Sequence, residues 1–241
     1  MAEKGIVTQY KAVPRNDAAF EAAVCELFDA MAEEEFPAGG ISTFAFYKVP
    51  FIFGYWYSFA QMTDEALARH TKGPKVKAAM AKMTAELAHP PIEERLTPVI
   101  IQGCGEKIPG APERPAGVDP MTDIGVVYSF RVRPEDDDHI EALMHHIFKI
   151  VDRTEISTGN VLTYNLYRDP KEPGRWVMFE HFTAKGSADH ATHPDIFGPG
   201  FEQVNLITEP FSRAILNPYR VLGCGEPMPA TAKPAVKSAK K

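Results

Sequence analysis

The sequence predicts an α+β protein made of two tandem βαββαβ units that face each other through their sheets. Three observations carry this expectation. The stretch Trp176 to Pro194, WVMFEHFTAKGSADHATHP, is echoed by Trp56 to Pro74, WYSFAQMTDEALARHTKGP, with Trp, Phe, Thr, Ala, His and Pro recurring 120 residues apart. Held without a gap from Gly5 to Pro109, that offset keeps roughly a quarter of positions identical, which marks a tandem duplication. Within each copy, strand-like and helix-like runs follow in the order βαββαβ. Such a unit folds as an antiparallel sheet with helices on one face, so its other face stays bare unless a second copy covers it.

Gly5 to Val13 is short and β-rich, and Pro14 ends it. Asp17 suits a helix cap, and Phe20, Val24, Leu27, Phe28 and Met31 then form one stripe against Glu21, Glu26, Asp29, Glu33 and Glu34. Gly39 and Gly40 stop this helix, and ISTFAFYKV and YWYSFAQM read as two strands joined across Pro50 to Gly54. Thr63 or Asp64 caps a short helix through His70, a second helical run follows Pro74, and RLTPVIIQ is the last strand, closed by a turn at Gly103, Cys104 and Gly105. The second copy repeats this: strand Gly125 to Arg133, helix Asp137 to Arg153 with Ile140, Met144, Ile147, Phe148 and Val151 as its stripe, hairpin Val161 to Phe182, helices around His190 and after Pro194, and strand Ala214 to Leu222. The expected organisation is a first repeat over 1–106, a Pro/Gly-rich linker over 107–121, a second repeat over 122–226 and a disordered basic tail over 227–241.

The composition, 44% apolar and 24% charged, is that of a soluble globular chain, and a net charge of −6 argues against a nucleic-acid partner, which would need a basic face. Three cysteines without a CxxC spacing fit neither a disulfide scaffold nor a zinc site, and the N-terminus has no basic and apolar leader pattern, so a cytoplasmic setting is expected. The most apolar stretch, Phe44 to Met62, is broken by Lys48, Pro50 and Gly54 and reads as paired strands with no role in a membrane. Cys104 and Cys224 lie in matched GCGE turns with no neighbouring base in sequence, which favours a strand-ending turn over a redox role.

Three motifs of the second copy, VVYSFRVRPEDDDHIE, TGNVLTYNLYRDP and WVMFEHFTAKGSADHATHP, resemble the antibiotic-biosynthesis-monooxygenase family of dimeric α/β barrels. The resemblance spans both copies and implies two ferredoxin-like units paired sheet to sheet, here as a pseudo-dimer within one chain. It also implies a cofactor-independent monooxygenase or related oxidoreductase acting on a small aromatic or quinol-like substrate, with no cofactor. The family includes members without known chemistry, so a non-catalytic ligand-binding or structural barrel is the alternative, with haem binding or degradation a lesser one. The haem-degrading branch carries Asn on its first strand and a Trp followed by a His after its third. Here those places hold Thr8 and Gln9 or Tyr128 and Ser129, then His70 or His190, then Ala79 or Pro199, which argues against haem breakdown.

His190 is the expected general base, because an imidazole of pKa about 6.5 accepts a proton from an acidic phenol without elaborate tuning. Glu180 and Asn165 join it as catalytic candidates, with Tyr128, Tyr164, Trp176, His181 and His193 as candidates for binding substrate. His190 and His193, three apart, would share a helix face; a polar helix end at a pocket mouth is favoured there over a metal site, and no metal is expected. His70 matches His190, so a purely structural role in both copies is the competing reading, as core packing is for Trp56 and Trp176. Glu180, His181 and His193 have no counterpart in the first copy, which points to the second as the place of an asymmetric site. Phe51, Ile52, Phe53 and Tyr55 would be costly to leave in water, so their loop is expected to be covered by the other repeat or by a second chain in a homodimer.

Overall fold

The computed structural model describes residues 3–14, 16–70, 72–114 and 117–228, and the tail expected over 227–241 lies outside them beyond Met228. The first half contains β1 (Glu3–Lys11), α1 (Asp17–Glu34), β2 (Ile41–Lys48), β3 (Tyr55–Thr63), α2 (Asp64–Arg69), α3 (Pro74–Ala85) and β4 (Ile92–Ile100). The second contains β5 (Ile124–Arg131), α4 (Asp137–Thr154), β6 (Val161–Arg168), β7 (Arg175–Phe182), α5 (Ala184–Ala191), α6 (Pro194–Leu206) and β8 (Ser212–Leu222). Each half forms an antiparallel sheet, ordered β4-β1-β3-β2 or β8-β5-β7-β6, and the pairings β2 with β8 and β4 with β6 close all eight strands into one barrel. Closure leaves none of these eight strands at a free sheet edge.

The helices form where their apolar stripes meet the outer face of a sheet. Phe20, Val24, Leu27, Phe28 and Met31 of α1 are buried, as are Ile140, Met144, Ile147, Phe148 and Val151 of α4. Thr63 and Thr183 cap α2 and α5, accepting from the backbone N–H groups of Ala66 and Gly186, and Pro74 and Pro194 open α3 and α6, where a missing N–H costs nothing. Asp17 is the first residue of α1, not its cap: Asn16 stands there and makes no side-chain cap bond, while the Asp17 carboxylate lies in the first turn, where the helix dipole favours it.

Inside the barrel the two halves meet at matched residues. Phe59 stacks on Phe179 with ring centroids 3.7 Å apart and planes 10° from parallel, so the pseudo-twofold axis runs between these rings. Val7, Tyr47, Leu96, Val127, Tyr167 and Leu216 fill the space around them. Packing there is close enough that a Cβ on Gly5 would sit 2.4 Å from the Tyr167 ring and one on Gly125 2.7 Å from the Tyr47 ring. The barrel interior is therefore core, and room for a ligand has to be sought in the layer between sheet and helices.

Phe51 is 100% and Phe53 88% exposed, so the other repeat does not cover their loop. The reason is geometric: β8 pairs with β2 only from Phe44 to Lys48, and the β2–β3 turn projects past its end. No helix among the described residues is long and apolar enough to cross a membrane.

Candidate functional site

Period-two alternation on β7 sends Trp176, Met178, Glu180 and Phe182 toward α4 and α6 and sends Val177, Phe179 and His181 into the barrel. Tyr164 on β6 and Tyr128 on β5 share the outward face with Glu180. Together with His190, from the last turn of α5, they surround a cavity of about 380 Å³ whose other walls are largely apolar, among them Met144, Ile147, Phe197 and Phe211. A volume of that size suits a small planar ligand.

His190 Nδ1 lies 2.9 Å from one Glu155 carboxylate oxygen and 3.1 Å from the other, and Glu155 is the C-cap residue of α4. A carboxylate can only accept, so Nδ1 carries the proton and Nε2 presents its lone pair to the cavity, 3.5 Å from the Tyr164 hydroxyl. The ring is held by stacking on Phe182 at 5.1 Å. Burial works to lower the His190 pKa, but the hydrogen bond that His190 donates to Glu155 and the charges of Glu180 and Glu155 outweigh it, and the net shift is upward. Burial raises the pKa of Glu180, against the pull of His190 and Arg213. Burial, with Glu180 adding to it, pushes Tyr128 up to about 12 and Tyr164 well above the ordinary phenol range, so both hydroxyls remain donors at neutral pH.

The structure thus brings His190, Glu180, Tyr128 and Tyr164 together and sets His193 at the cavity wall. His193 does not extend the His190 helix: α5 ends at Ala191, and His193 caps α6, its Nδ1 accepting from the Asp195 backbone N–H. Asn165, His181 and Trp176 lie elsewhere. Asn165 faces the barrel interior, accepting from the Gln102 N–H at 2.8 Å and donating to Cys104 Sγ at 3.0 Å. His181 is buried there between Tyr47 Oη, 2.7 Å from Nδ1, and Asp123, 3.0 Å from Nε2, and Asp123 is clamped in turn by Arg114. Trp176 packs in the outer core under Arg168 and donates to Asp137. Among the described residues no three His, Cys, Asp or Glu side chains converge in a way that could hold a metal ion.

Three residues of the cavity region went unnoticed in the sequence: Glu155, Arg213 and Gln203. The signal for Glu155 was available, since it stands 120 residues after Glu35, and Glu35 pairs with His70 at 2.7 Å as Glu155 pairs with His190. Gln203 is buried on α6, lines the cavity, and its Nε2 has no hydrogen-bond partner among the described residues. An unpartnered buried amide at a cavity wall is a donor waiting for a ligand.

The duplicated His–Glu pair differs in its surroundings. In the first repeat Phe44 stands for Tyr164, Ala60 for Glu180, Thr8 for Tyr128, Met83 for Gln203 and Met80 for Gly200. Ala60 and Met83 are buried in the first repeat's outer core, and Met80 packs against it. In the second repeat the His faces Tyr164, Glu180 and Gln203, where the first repeat has Phe44, Ala60 and Met83.

No family model matches the chain, and no curated protein does. Solved structures match over more than nine-tenths of its length. A "Putative monooxygenase" from Fusobacterium nucleatum subsp. nucleatum, 15% identical, covers 91% of this chain and 94% of its own with a TM-score of 0.76. A "putative monooxygenase" from Lactobacillus acidophilus, 9% identical, covers 94% and 98% with a TM-score of 0.75, and an "anthrone oxidase-like protein", also 9% identical, covers 94% and 95% with a TM-score of 0.58. The likeness establishes the fold: a dimeric α/β barrel made within one chain.

Proposed function

We propose that this chain is a cofactor-independent oxygenase of a small planar anthrone, phenol or quinol, with its single site in the second repeat. The observation that carries the reading is the asymmetric cavity: mostly apolar walls that converge on an imidazole oriented by Glu155. On this reading the chain comprises repeats over 1–106 and 122–226 joined by 107–121, works in the cytoplasm, and covers its Phe51 to Tyr55 loop with a second copy of itself. The anthrone class is taken from a structural neighbour described as an anthrone oxidase-like protein.

For an anthrone, His190 Nε2 takes a proton from the acidic ring CH₂, and Glu155 stabilises the imidazolium that forms. The developing enolate oxygen is held by donors, Tyr164 Oη and Gln203 Nε2, beside mostly apolar walls. The carbanion passes one electron to O₂, and the two radicals combine into a carbon-bound peroxide that takes the proton back from His190. Loss of water leaves a carbonyl, so one oxygen atom enters the product and the other leaves as water, the ring carbon giving up the four electrons that O₂ receives. The raised pKa of His190 narrows its gap to a weakly acidic substrate.

The test is oxygen uptake with a panel of anthrones, catechols and quinols, comparing wild type with His190→Ala. Turnover by wild type that falls by ~10²–10⁴ in the variant is expected for loss of a general base. Equal rates would remove His190 from the mechanism. Tight binding of panel compounds with no oxygen uptake would favour the second reading, a ligand-binding barrel without catalysis, for which the recurrence of the pair at Glu35 and His70 speaks.

A further inference from the structure

The Gly-Cys-Gly segments that follow β4 and β8 run antiparallel and bridge at Cys104 and Cys224, matched positions of the two repeats. Gly105 N–H donates to Gly223 O and Gly225 N–H donates to Gly103 O, each at 2.7 Å. Two ladder bonds that bracket a residue pair in this way make it a non-hydrogen-bonded pair, whose Cα atoms lie about 4.5 Å apart with both side chains on one face. That spacing falls within the ~4.4–6.8 Å found across natural disulfides. The crossing is fixed by its glycines: Gly103 and Gly223 have φ of 75° and 76°, and a Cβ on either would lie 2.0 Å from a carbonyl oxygen, of Leu162 or Ser42. Both thiols are free, Asn165 donates to Cys104 Sγ, and Tyr47 Oη lies 3.8 Å from Cys224 Sγ. Cys104 keeps some exposure, and a cavity of about 320 Å³ beside Lys107 and Arg114 reaches Cys224.

We infer that Cys104 and Cys224 are a redox-sensitive pair that closes into a reversible disulfide with hydrogen peroxide, stapling one repeat to the other at the pseudo-twofold. The Cys104 thiolate attacks peroxide, taking one oxygen as a sulfenic acid and releasing hydroxide. The Cys224 thiol then attacks that sulfur and expels water, so two thiols lose two electrons and peroxide gains them. Burial pushes the Cys104 thiol up to about 11 and the Cys224 thiol higher still, so closure is slow at neutral pH, quickens as pH rises, and begins at Cys104. The pair stands apart from the cavity around His190, and its chemistry does not depend on the oxygenase reading.

The test is to treat the full chain with hydrogen peroxide at mildly alkaline pH and map its peptides without reduction. A linked peptide joining Cys104 to Cys224, two hydrogens lighter than the free pair, lost on adding dithiothreitol and still formed in Cys25→Ser, is the expected result. Closing a loop of this length should also raise Tm by about 10 °C. The inference is overturned by a sulfinic or sulfonic acid at Cys104 beside a free Cys224, by links between chains or to Cys25, or by both thiols remaining alkylatable after Cys25 is fully oxidised.

Discussion

Replacing Gly200 by Met gives the second repeat the residue that the first carries at Met80. Gly200 is a clean place for this change: a Cβ there meets nothing within 4 Å, and its φ lies outside the left-handed region. The four side-chain heavy atoms of Met, at about the ~30 Å³ a water molecule occupies each, take up roughly 120 Å³. That is about a third of the cavity of about 380 Å³, so a ligand that fills the cavity must lose contacts or be displaced. A loss of at least tenfold in affinity, about 1.4 kcal/mol, is expected for the ligands that wild type binds. Stability should move the opposite way, because Gly in a helix interior costs ~1 kcal/mol relative to good helix formers and the added side chain covers apolar surface. Calorimetric titration and thermal unfolding on the same preparation separate the two effects. A variant that gains stability and binds or turns over substrate as well as wild type would refute the assignment of this cavity as the site.

Glu155→Gln removes the main upward influence on His190, so the pKa of the imidazole falls; a base acts in its neutral form, and the rising limb of activity against pH should move to lower pH, as rate profiles would show. The same variant tests linkage: because the folded pKa of His190 is raised, the stability contributed by its pairing is present below the unfolded pKa and lost as pH rises through the folded one, so wild type should outlast the variant most on the acidic side of that window. Glu180 has a raised folded pKa, so the native state holds its proton after the unfolded chain has released it, and stability falls as pH climbs through that window; Glu180→Gln should raise Tm at neutral pH in scanning calorimetry, and an unchanged Tm would mean the carboxyl is better solvated than its surroundings imply. For the projecting loop, sedimentation velocity should show wild type dimerising with rising concentration and Phe53→Ser staying monomeric; a wild type that remains monomeric throughout would remove a second copy as the cover.

Much of the architecture was legible in the sequence because duplication supplies an internal alignment. A matched Trp, His or Pro 120 residues away locates each strand and helix twice, and a βαββαβ unit leaves one face needing a partner. Alternation also placed Glu180 and His181 on opposite faces of β7. What local pattern could not supply was distance. Glu155 lies 35 residues before His190, yet it fixes the imidazole, because the end of α4 packs beside α5. Asn165 shares a strand with Tyr164, and the one-residue step turns it into the barrel. Each GCGE segment reads as a turn in its own repeat, while the meeting of the two across the barrel depends on a closure that no single repeat encodes.

The way the barrel closes also constrains how the chain can fold. β2 is bordered by β8, and β4 by β6, so neither repeat can finish its own sheet until the other has been made. The contact of Phe44 with Leu222 spans most of the chain and forms only after the last strand leaves the ribosome. Until then a nascent first repeat presents two open edges, the hallmark of a template for misassembly. Folding dominated by such distant pairings is expected to be slow, and a truncation just short of β8 should yield an intermolecular strand exchanger, one chain's β2 seeking in a neighbour the strand that it lacks.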